Sequence, residues 1–207
     1  MTYRGRRRRQ PVSSLSSWLV SIIVAVVVAL FIVSNIVSFT MIMEVSMEPT
    51  LYENDRILVN RLGYMIGKPQ RNDVVILNKV NDEKGLIINM LNEAKDIADN
   101  IKFRFTGEIE KNNLIKRVVA VEGDLVDIRD GNLYINGLIE ENDNVRGDTY
   151  SYDLEFPVQV PEGEVFALGD NREFSLDSRH IGFIKINQIK GKALLRILPF
   201  NNFGLIN

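Results

Sequence analysis

Cysteine is absent from this 207-residue chain, and histidine occurs once, at His180. The absence of cysteine excludes thiol catalysis, cysteine-ligated zinc and any disulfide framework. With one histidine, a metal site of several histidines cannot form, and a Ser-His-Asp triad would have a single possible base. Stability must therefore come from packing, for which a hydrophobic content of 45% is sufficient.

Acidic residues are missing from the start of the chain. Five arginines occur within the first ten residues, at Arg4 and from Arg6 to Arg9, whereas no acidic residue precedes Glu44. The whole chain has 25 basic and 27 acidic residues, so the part that follows the arginines is mildly acidic. This balance argues against nucleic acid as a partner.

The segment from Trp18 to Phe39 contains no charged residue and is rich in Val, Ile, Leu, Ala and Phe. As an α-helix it would extend about 33 Å, close to the ~30 Å hydrocarbon core of a bilayer. The preceding arginines favour a cytoplasmic N-terminus. The sequence thus predicts a basic cytoplasmic tail over residues 1–17, one transmembrane helix over 18–39 and an extracytoplasmic domain over 40–207.

A cleavable secretory signal is the alternative interpretation of the apolar segment. Its apolar part would normally span about 7–15 residues and end in a small-x-small cleavage site. The segment here is longer, and no clear site of that kind follows it. A retained, single-pass anchor is therefore expected, with the lipid bilayer of the cell membrane as a partner.

Beyond residue 40, short apolar runs separated by turn residues predict a mostly β domain. Asp130-Gly131 lies between two of these runs and predicts a hairpin with a tight type I′ turn. The predicted strands cover residues 56–60, 73–78, 114–121, 124–129, 132–135, 165–168 and 193–197.

Residues 84–101 break the β pattern. Apolar residues recur there at spacings of three and four, from Leu86 to Ile101, which predicts an inserted amphipathic helix. The helix could pack on the sheet, lie on a membrane surface or bind a partner. Its acidic residues, Glu93, Asp96 and Asp99, argue against an anionic membrane surface.

The string Ser46-Met47-Glu48-Pro49-Thr50-Leu51 follows the apolar segment closely. Pro49 fixes one φ angle and disfavours helix at the residue before it, so a rigid turn is expected at Ser46. Such a turn can direct a hydroxyl and a backbone N–H at one point, as acyl transfer requires. For this string alone, a turn without catalytic chemistry is the alternative.

Lys116 and Arg117 begin an apolar run that continues to Val121. On a strand, alternation directs the two cations to opposite faces. A lysine that points into the core is desolvated, which disfavours its ammonium form and lets it act as a base near neutral pH. A solvent-exposed lysine at the strand edge is the alternative.

The segment from Gly169 to Arg179 is dense in polar residues and directly follows the apolar run 165–168. Its charged residues can form charge-assisted pairs that hold a loop rigid, and Ser175 could hydrogen-bond a neutral lysine. Support of an active site and a structural turn network are both consistent with this composition. The charged residues concerned are Asp170, Arg172, Asp177 and Arg179.

Taken together and in this order, the three strings resemble the type I signal peptidase family, whose members use a Ser-Lys dyad. The residues from Tyr52 to Asn60 look like the strand motif that follows the family's nucleophile, with Asn54 where glycine is common. The resemblance implies a serine endopeptidase with Ser46 as nucleophile and oxyanion donor and Lys116 as general base. It also implies that Ser175 orients the lysine and that the site is supported by Arg117, Asp177 and Arg179.

The same resemblance implies the substrate. Secretory precursors would lose their N-terminal signal peptides at the outer face of the cytoplasmic membrane, with no metal or cofactor. Shallow apolar pockets would select small-x-small sites. Glu44 departs from the family pattern, because some members place a serine or threonine hydroxyl there, in the oxyanion hole. The residues expected at the pockets are Ile42, Met47, Leu51, Leu114 and Ile115.

Other functions are weighed against this one. His180 could be the base because histidine titrates near neutrality, although its place directly after the polar segment suggests a structural role. A self-cleaving Ser-Lys regulator of the repressor type shares the dyad, but a membrane anchor argues against it. A membrane-tethered β domain that binds a partner through residues 84–101 would have no enzymatic activity.

Overall fold

The computed structural model describes residues 15–35, 37–78 and 113–206. Three α-helices are described here: α1 (Leu15–Asn35), α2 (Gly63–Ile66) and α3 (Ser178–Ile181). The strands in these ranges are β1 (Val37–Met41), β2 (Arg56–Asn60), β3 (Val74–Asn78), β4 (Asn113–Val121), β5 (Leu125–Arg129), β6 (Asn132–Ile135), β7 (Leu138–Ile139), β8 (Val158–Gln159), β9 (Glu164–Leu168), β10 (Ile184–Lys185), β11 (Ile189–Leu198) and β12 (Gly204–Leu205).

The strands form two antiparallel sheets. The larger sheet has the order β1-β2-β11-β3-β4-β9-β10, with β12 paired to β11, and the smaller has the order β7-β6-β5-β8. The described part of the chain is therefore mostly β, as the sequence predicts. The long strand β4 lies between β3 and β9, near the middle of the larger sheet.

The predicted hairpin joins β5 to β6 in the smaller sheet. Asp130 has a φ angle of 50° and Gly131 one of 77°. Positive φ at both central positions is the requirement of a type I′ turn. The prediction made from the Asp-Gly dipeptide is confirmed.

The N-terminal helix differs from the prediction in its bounds. It covers Leu15–Asn35, so helix over residues 37–39 is wrong, because β1 begins at Val37 and pairs with β2. Apolar and hydroxyl side chains alternate along β1, a period-2 pattern that fits a strand better than a continued helix. None of the helices in the described ranges combines the length and the apolar character that a membrane span requires. The transmembrane span and the three-part division of the chain stay predictions.

The predicted amphipathic helix over residues 84–101 lies outside the described residues. So do residues 1–14, which make up most of the predicted basic tail. The three roles considered for that helix, packing on the sheet, contact with a membrane surface and binding of a partner, stay open.

Buried apolar side chains connect the candidate site to the sheets. Met47 and Leu51 have no exposed surface and pack in one cluster with Ile57 and Ile115 from β2 and β4. A second cluster joins the smaller sheet to the larger one through Phe166 on β9, whose neighbours include Val126 and Leu133. Because Met47 and Leu51 are both buried, the turn that carries Ser46 is anchored in the core on both sides of Pro49.

Candidate active site

Ser46 lies in a 3₁₀ turn, Val45–Met47, that follows β1. The turn is held by the buried Met47 side chain and by a hydrogen bond from the Leu51 N–H to the Met47 carbonyl at 2.8 Å. Only 4% of the Ser46 surface is exposed. The rigid turn expected from the sequence is present, and it fixes the hydroxyl in a buried position.

Lys116 brings its amine to this hydroxyl from β4. The Lys116 Nζ donates to Ser46 Oγ at 2.7 Å and to the Ile115 carbonyl at 2.9 Å. Lys116 is fully buried, which disfavours its charged form relative to water. The Glu44 carboxylate acts in the opposite sense, because its Oε2 lies 3.6 Å from Nζ. The structure thus places a buried amine against a serine hydroxyl, with one carboxylate beside them.

The loop after β9 packs directly on the Ser46 turn. The Asn171 N–H donates to the Ser46 carbonyl at 3.0 Å, and the Asn171 side chain donates to the Val45 carbonyl at 3.2 Å. A Cβ at Gly169 would lie 2.5 Å from the Ser46 carbonyl oxygen and 2.3 Å from Ser175 Oγ, so a larger residue would displace one of them. The sequence analysis assigned no role to Gly169 or Asn171.

Arg117, the residue next to Lys116, binds the loop after β9. Its guanidinium makes two bonds of 2.8 Å to the Asp170 carboxylate, and both side chains are buried. Thr50, in the nucleophile string, donates its hydroxyl to the same carboxylate. All three candidate strings are therefore joined at one carboxylate.

Asp177 and Arg179 form a second buried pair, with two bonds of 2.8 Å and no exposed surface on either side chain. The Asp177 carboxylate also accepts from the Gly169 N–H at 3.1 Å. Burial is the largest single influence and opposes its ionisation, but the hydrogen bonds and charge of Arg179, together with Ser175 and the Gly169 N–H, outweigh it, so the pKa of Asp177 lies below its ordinary value. The pair fixes the loop that packs against Ser46.

Two charged residues of the loop after β9 pair with side chains outside that loop. Asp170 binds Arg117, and Arg172 binds Glu140 and donates to the Thr149 hydroxyl at 2.6 Å. Glu140 and Thr149 lie outside the three strings, and neither has a local signal that marks it as a partner of a buried arginine. Only a three-dimensional arrangement could identify them.

Ser175 is buried beside Gly169, but its hydroxyl makes no hydrogen bond of normal geometry within the described part of the chain, although the Asp177 carboxylate lies close to it. Its predicted contact with the lysine stays a prediction. His180 stacks on Tyr152 with the ring centroids 4.1 Å apart, which fits a structural role.

The residues predicted to form the substrate pockets divide between two packing clusters. Ile42, Met47, Leu51 and Ile115 belong to one cluster, and Leu114 belongs to another. Met47 and Leu51 are completely covered and anchor the Ser46 turn. Their contribution to substrate selection stays a prediction.

The backbone conformation of Asn54 explains why asparagine can stand where glycine is common in the family. Its φ angle is 70°, in the left-handed region that glycine adopts most readily. Asparagine is among the few other residues that adopt this conformation routinely. The substitution therefore preserves the tight turn that leads into β2.

Comparisons with known proteins identify the family of this chain. Residues 15–198 match the family model described as signal peptidase, peptidase S26. Signal peptidase I of Bacillus licheniformis is 31% identical over 198 residues, which cover 91% of each chain. Thylakoidal processing peptidase 1 of Arabidopsis thaliana is 36% identical over 158 residues, which cover 76% of this chain but only 41% of that protein.

Among solved structures, a signal peptidase I from Enterococcus faecalis is similar at 25% sequence identity, with a TM-score of 0.39 over 61% of this chain and 97% of the other. The family predicted from the three strings is confirmed by the family match and by the Bacillus relative. The chain belongs to the signal peptidase family, peptidase S26.

Proposed function

We propose that this chain is a membrane-bound serine endopeptidase that removes N-terminal signal peptides from translocated precursor proteins. Ser46 is the nucleophile and Lys116 is the general base. The observation that carries the proposal is the 2.7 Å contact between the buried Lys116 Nζ and Ser46 Oγ. Membership of the signal peptidase family supports the substrate class.

Acylation begins with neutral Lys116, which accepts the proton of Ser46 Oγ as the oxygen attacks the scissile carbonyl carbon. The tetrahedral intermediate collapses with cleavage of the C–N bond, and Lys116 returns the proton to the leaving amine. Water then attacks the Ser46 ester, with Lys116 again as base. The bond from Nζ to the Ile115 carbonyl holds the lysine in reach of both steps.

The Ser46 N–H is the proposed donor to the oxyanion. Ser46 lies in the first turn of a short helix, where backbone N–H groups lack partners within the helix. A donor at that position would stabilise the negative charge that develops on the scissile oxygen. The Asn171 bond to the Ser46 carbonyl fixes the orientation of the adjoining peptide units.

Precursor cleavage tests the proposal. The full-length chain in detergent should release the mature protein from a secretory precursor with small residues at positions −1 and −3 of the cleavage site. The same precursor with tryptophan at both positions should stay intact, because a bulky side chain would not fit a shallow pocket. Absence of cleavage in both precursors, or equal cleavage of both, would contradict the proposal.

We also propose that the apolar N-terminal segment that contains α1 anchors the enzyme in the cytoplasmic membrane, with the N-terminus inside and the catalytic domain outside. Apolar side chains from Trp18 to Val28 are exposed along α1, and lipid would remove this surface from water. The N-terminal arginines favour the cytoplasmic side.

The larger sheet offers a second apolar surface. Phe39 pairs with Leu58, Leu58 with Leu195, and Leu195 with Leu205, so four apolar side chains form a row across neighbouring strands. Phe39 at one end is 63% exposed and Leu205 at the other is 75% exposed. Because β1 directly follows α1 along the chain, contact of this row with lipid is compatible with an anchored α1.

Trp18 is the single tryptophan of the chain and therefore reports on α1 alone. In phospholipid vesicles its emission should shift to shorter wavelength, because an interfacial indole leaves bulk water. Lipids brominated near the headgroup should quench it more than lipids brominated near the bilayer centre. A Trp18→Phe variant gives the background, and unquenched emission typical of indole in water would refute the anchor.

A further inference from the structure

We propose that Glu44 holds Lys116 in its ammonium form at neutral pH, so that this peptidase becomes active at a higher pH than the same site without that carboxylate. The inference rests on the proposed role of Lys116 as general base. Glu44 Oε2 lies 3.6 Å from Lys116 Nζ, and 25% of the Glu44 side chain is exposed, against 1% for Lys116. The pair therefore lies at the boundary between the buried dyad and solvent.

The local backbone directs Glu44 to the lysine. Glu44 stands immediately before the Val45–Met47 turn with an extended conformation, φ −127° and ψ 147°. Its side chain makes no capping hydrogen bond to that turn. The carboxylate contacts Lys116 instead.

The other acidic side chains near the dyad have different cationic partners. Glu48, on the far side of the turn, binds Arg146 at 3.1 Å. The carboxylates of the loop after β9 bind arginines: Asp170 binds Arg117 and Asp177 binds Arg179. On the β3 side, Asp73 binds Lys192, and the residue opposite Lys116 is the apolar Val75. Of these carboxylates, Glu44 is the one that contacts Lys116.

The carboxylate has two opposing effects on the reaction. In the resting enzyme it stabilises the ammonium form, which cannot accept the Ser46 proton, so fewer molecules hold the active base at neutral pH. During acylation Lys116 becomes an ammonium ion, and the same carboxylate stabilises that charge in the transition state. Glu44 should therefore move activity to higher pH and raise the maximal rate there.

An ionised carboxylate cannot donate a hydrogen bond, so Glu44 cannot replace a serine or threonine donor in the oxyanion hole. A negative charge near the developing oxyanion would oppose catalysis unless a cation compensates it. The contact with Lys116 provides that compensation. The same geometry thus accounts for a carboxylate two residues before the nucleophile.

The test is the pH dependence of kcat/KM for precursor cleavage by full-length Glu44→Gln and wild type in detergent. The acidic limb of the kcat/KM profile should lie about one pH unit or more lower in E44Q than in wild type. Opposite charges this close favour the ionised forms, so loss of the Glu44 charge makes the Lys116 ammonium ion easier to deprotonate. Relative to wild type, kcat/KM of E44Q should be higher at neutral pH and lower on the alkaline plateau. Glu44→Asp, which keeps the charge on a shorter side chain, should give an intermediate limb.

Glu48→Gln is the matched control, because Glu48 also lies two residues from Ser46 and is similarly exposed but binds Arg146. Its pH profile should coincide with the wild-type profile. The inference is overturned if the E44Q limb coincides with wild type, if E48Q moves as far as E44Q, or if folded E44Q is inactive at every pH. Cleavage by Lys116→Ala would instead refute the proposed dyad, so the two failures are distinguishable.

Discussion

Loss of precursor cleavage by about a thousandfold or more in kcat/KM is the expected result for both Ser46→Ala and Lys116→Ala. The first change removes the proposed nucleophile and the second removes the group proposed to accept its proton. The two losses should not add in the double variant, because the residues act as one unit in the same step. Cleavage rates, with folding checked by circular dichroism, measure this effect.

Two further variants separate base chemistry from charge. Lys116→Arg retains a cation at the site but cannot supply a neutral base, because arginine is not deprotonated in proteins. It should be as inactive as Lys116→Ala. His180→Ala removes the one histidine, which stacks on Tyr152, and should keep substantial activity. Near-normal cleavage by folded K116R or K116A would refute the dyad, and a thousandfold loss in folded H180A would favour histidine as base.

Asp177→Asn should lower the free energy of unfolding by about 3–5 kcal/mol, because it leaves the buried Arg179 guanidinium without its counter-charge. Both side chains have no exposed surface, so water does not screen the loss. The Gly169 N–H also loses a carboxylate acceptor. The midpoint of urea unfolding measures the change, and Asp143→Asn, at an exposed position, should leave that midpoint nearly unchanged.

The pH dependence of this stabilisation has a defined sign. The pKa of Asp177 is lowered in the folded protein, so its stabilising contribution is complete above the ordinary aspartate value of about 3.9. It is lost as the pH falls through the lower folded value. The difference in stability between wild type and Asp177→Asn should therefore shrink in acid, and a difference independent of pH would contradict the assignment of the pair.

Local sequence patterns predicted strands β2 to β6, β9 and part of β11, and the turn between β5 and β6, but not β1, β7, β8, β10 and β12. The short apolar run of β2, the Asp130-Gly131 dipeptide and the long apolar run of β4 each contain enough information within a few residues. The meeting of Ser46 and Lys116 depends on residues 70 positions apart, and the three strings located them through family resemblance. Periodicity alone would not have paired them.

Long-range polar partners were not predictable in the same way. The sequence suggested that Asp170 and Arg172 belong to a rigid loop, but their partners are Arg117 and Glu140. Each of these contacts joins side chains from distant parts of the chain, and many alternative pairings are compatible with the composition. The sequence likewise left open whether Glu44 affects the oxyanion hole, and the structure places its carboxylate against Lys116.

The adjacency of Lys116 and Arg117 has a consequence for how the chain assembles. A slip of β4 by one residue would move both side chains to other positions, since successive side chains of a strand point to opposite faces. In one direction Arg117 would take the place of Lys116, and in the other Ile115 would take it. Either slip removes the lysine from Ser46, and either leaves Asp170 without its arginine, which a lysine cannot replace because it lacks the planar fork. The buried Arg117–Asp170 pair therefore disfavours both slips and helps to fix the alignment in which Lys116 reaches Ser46.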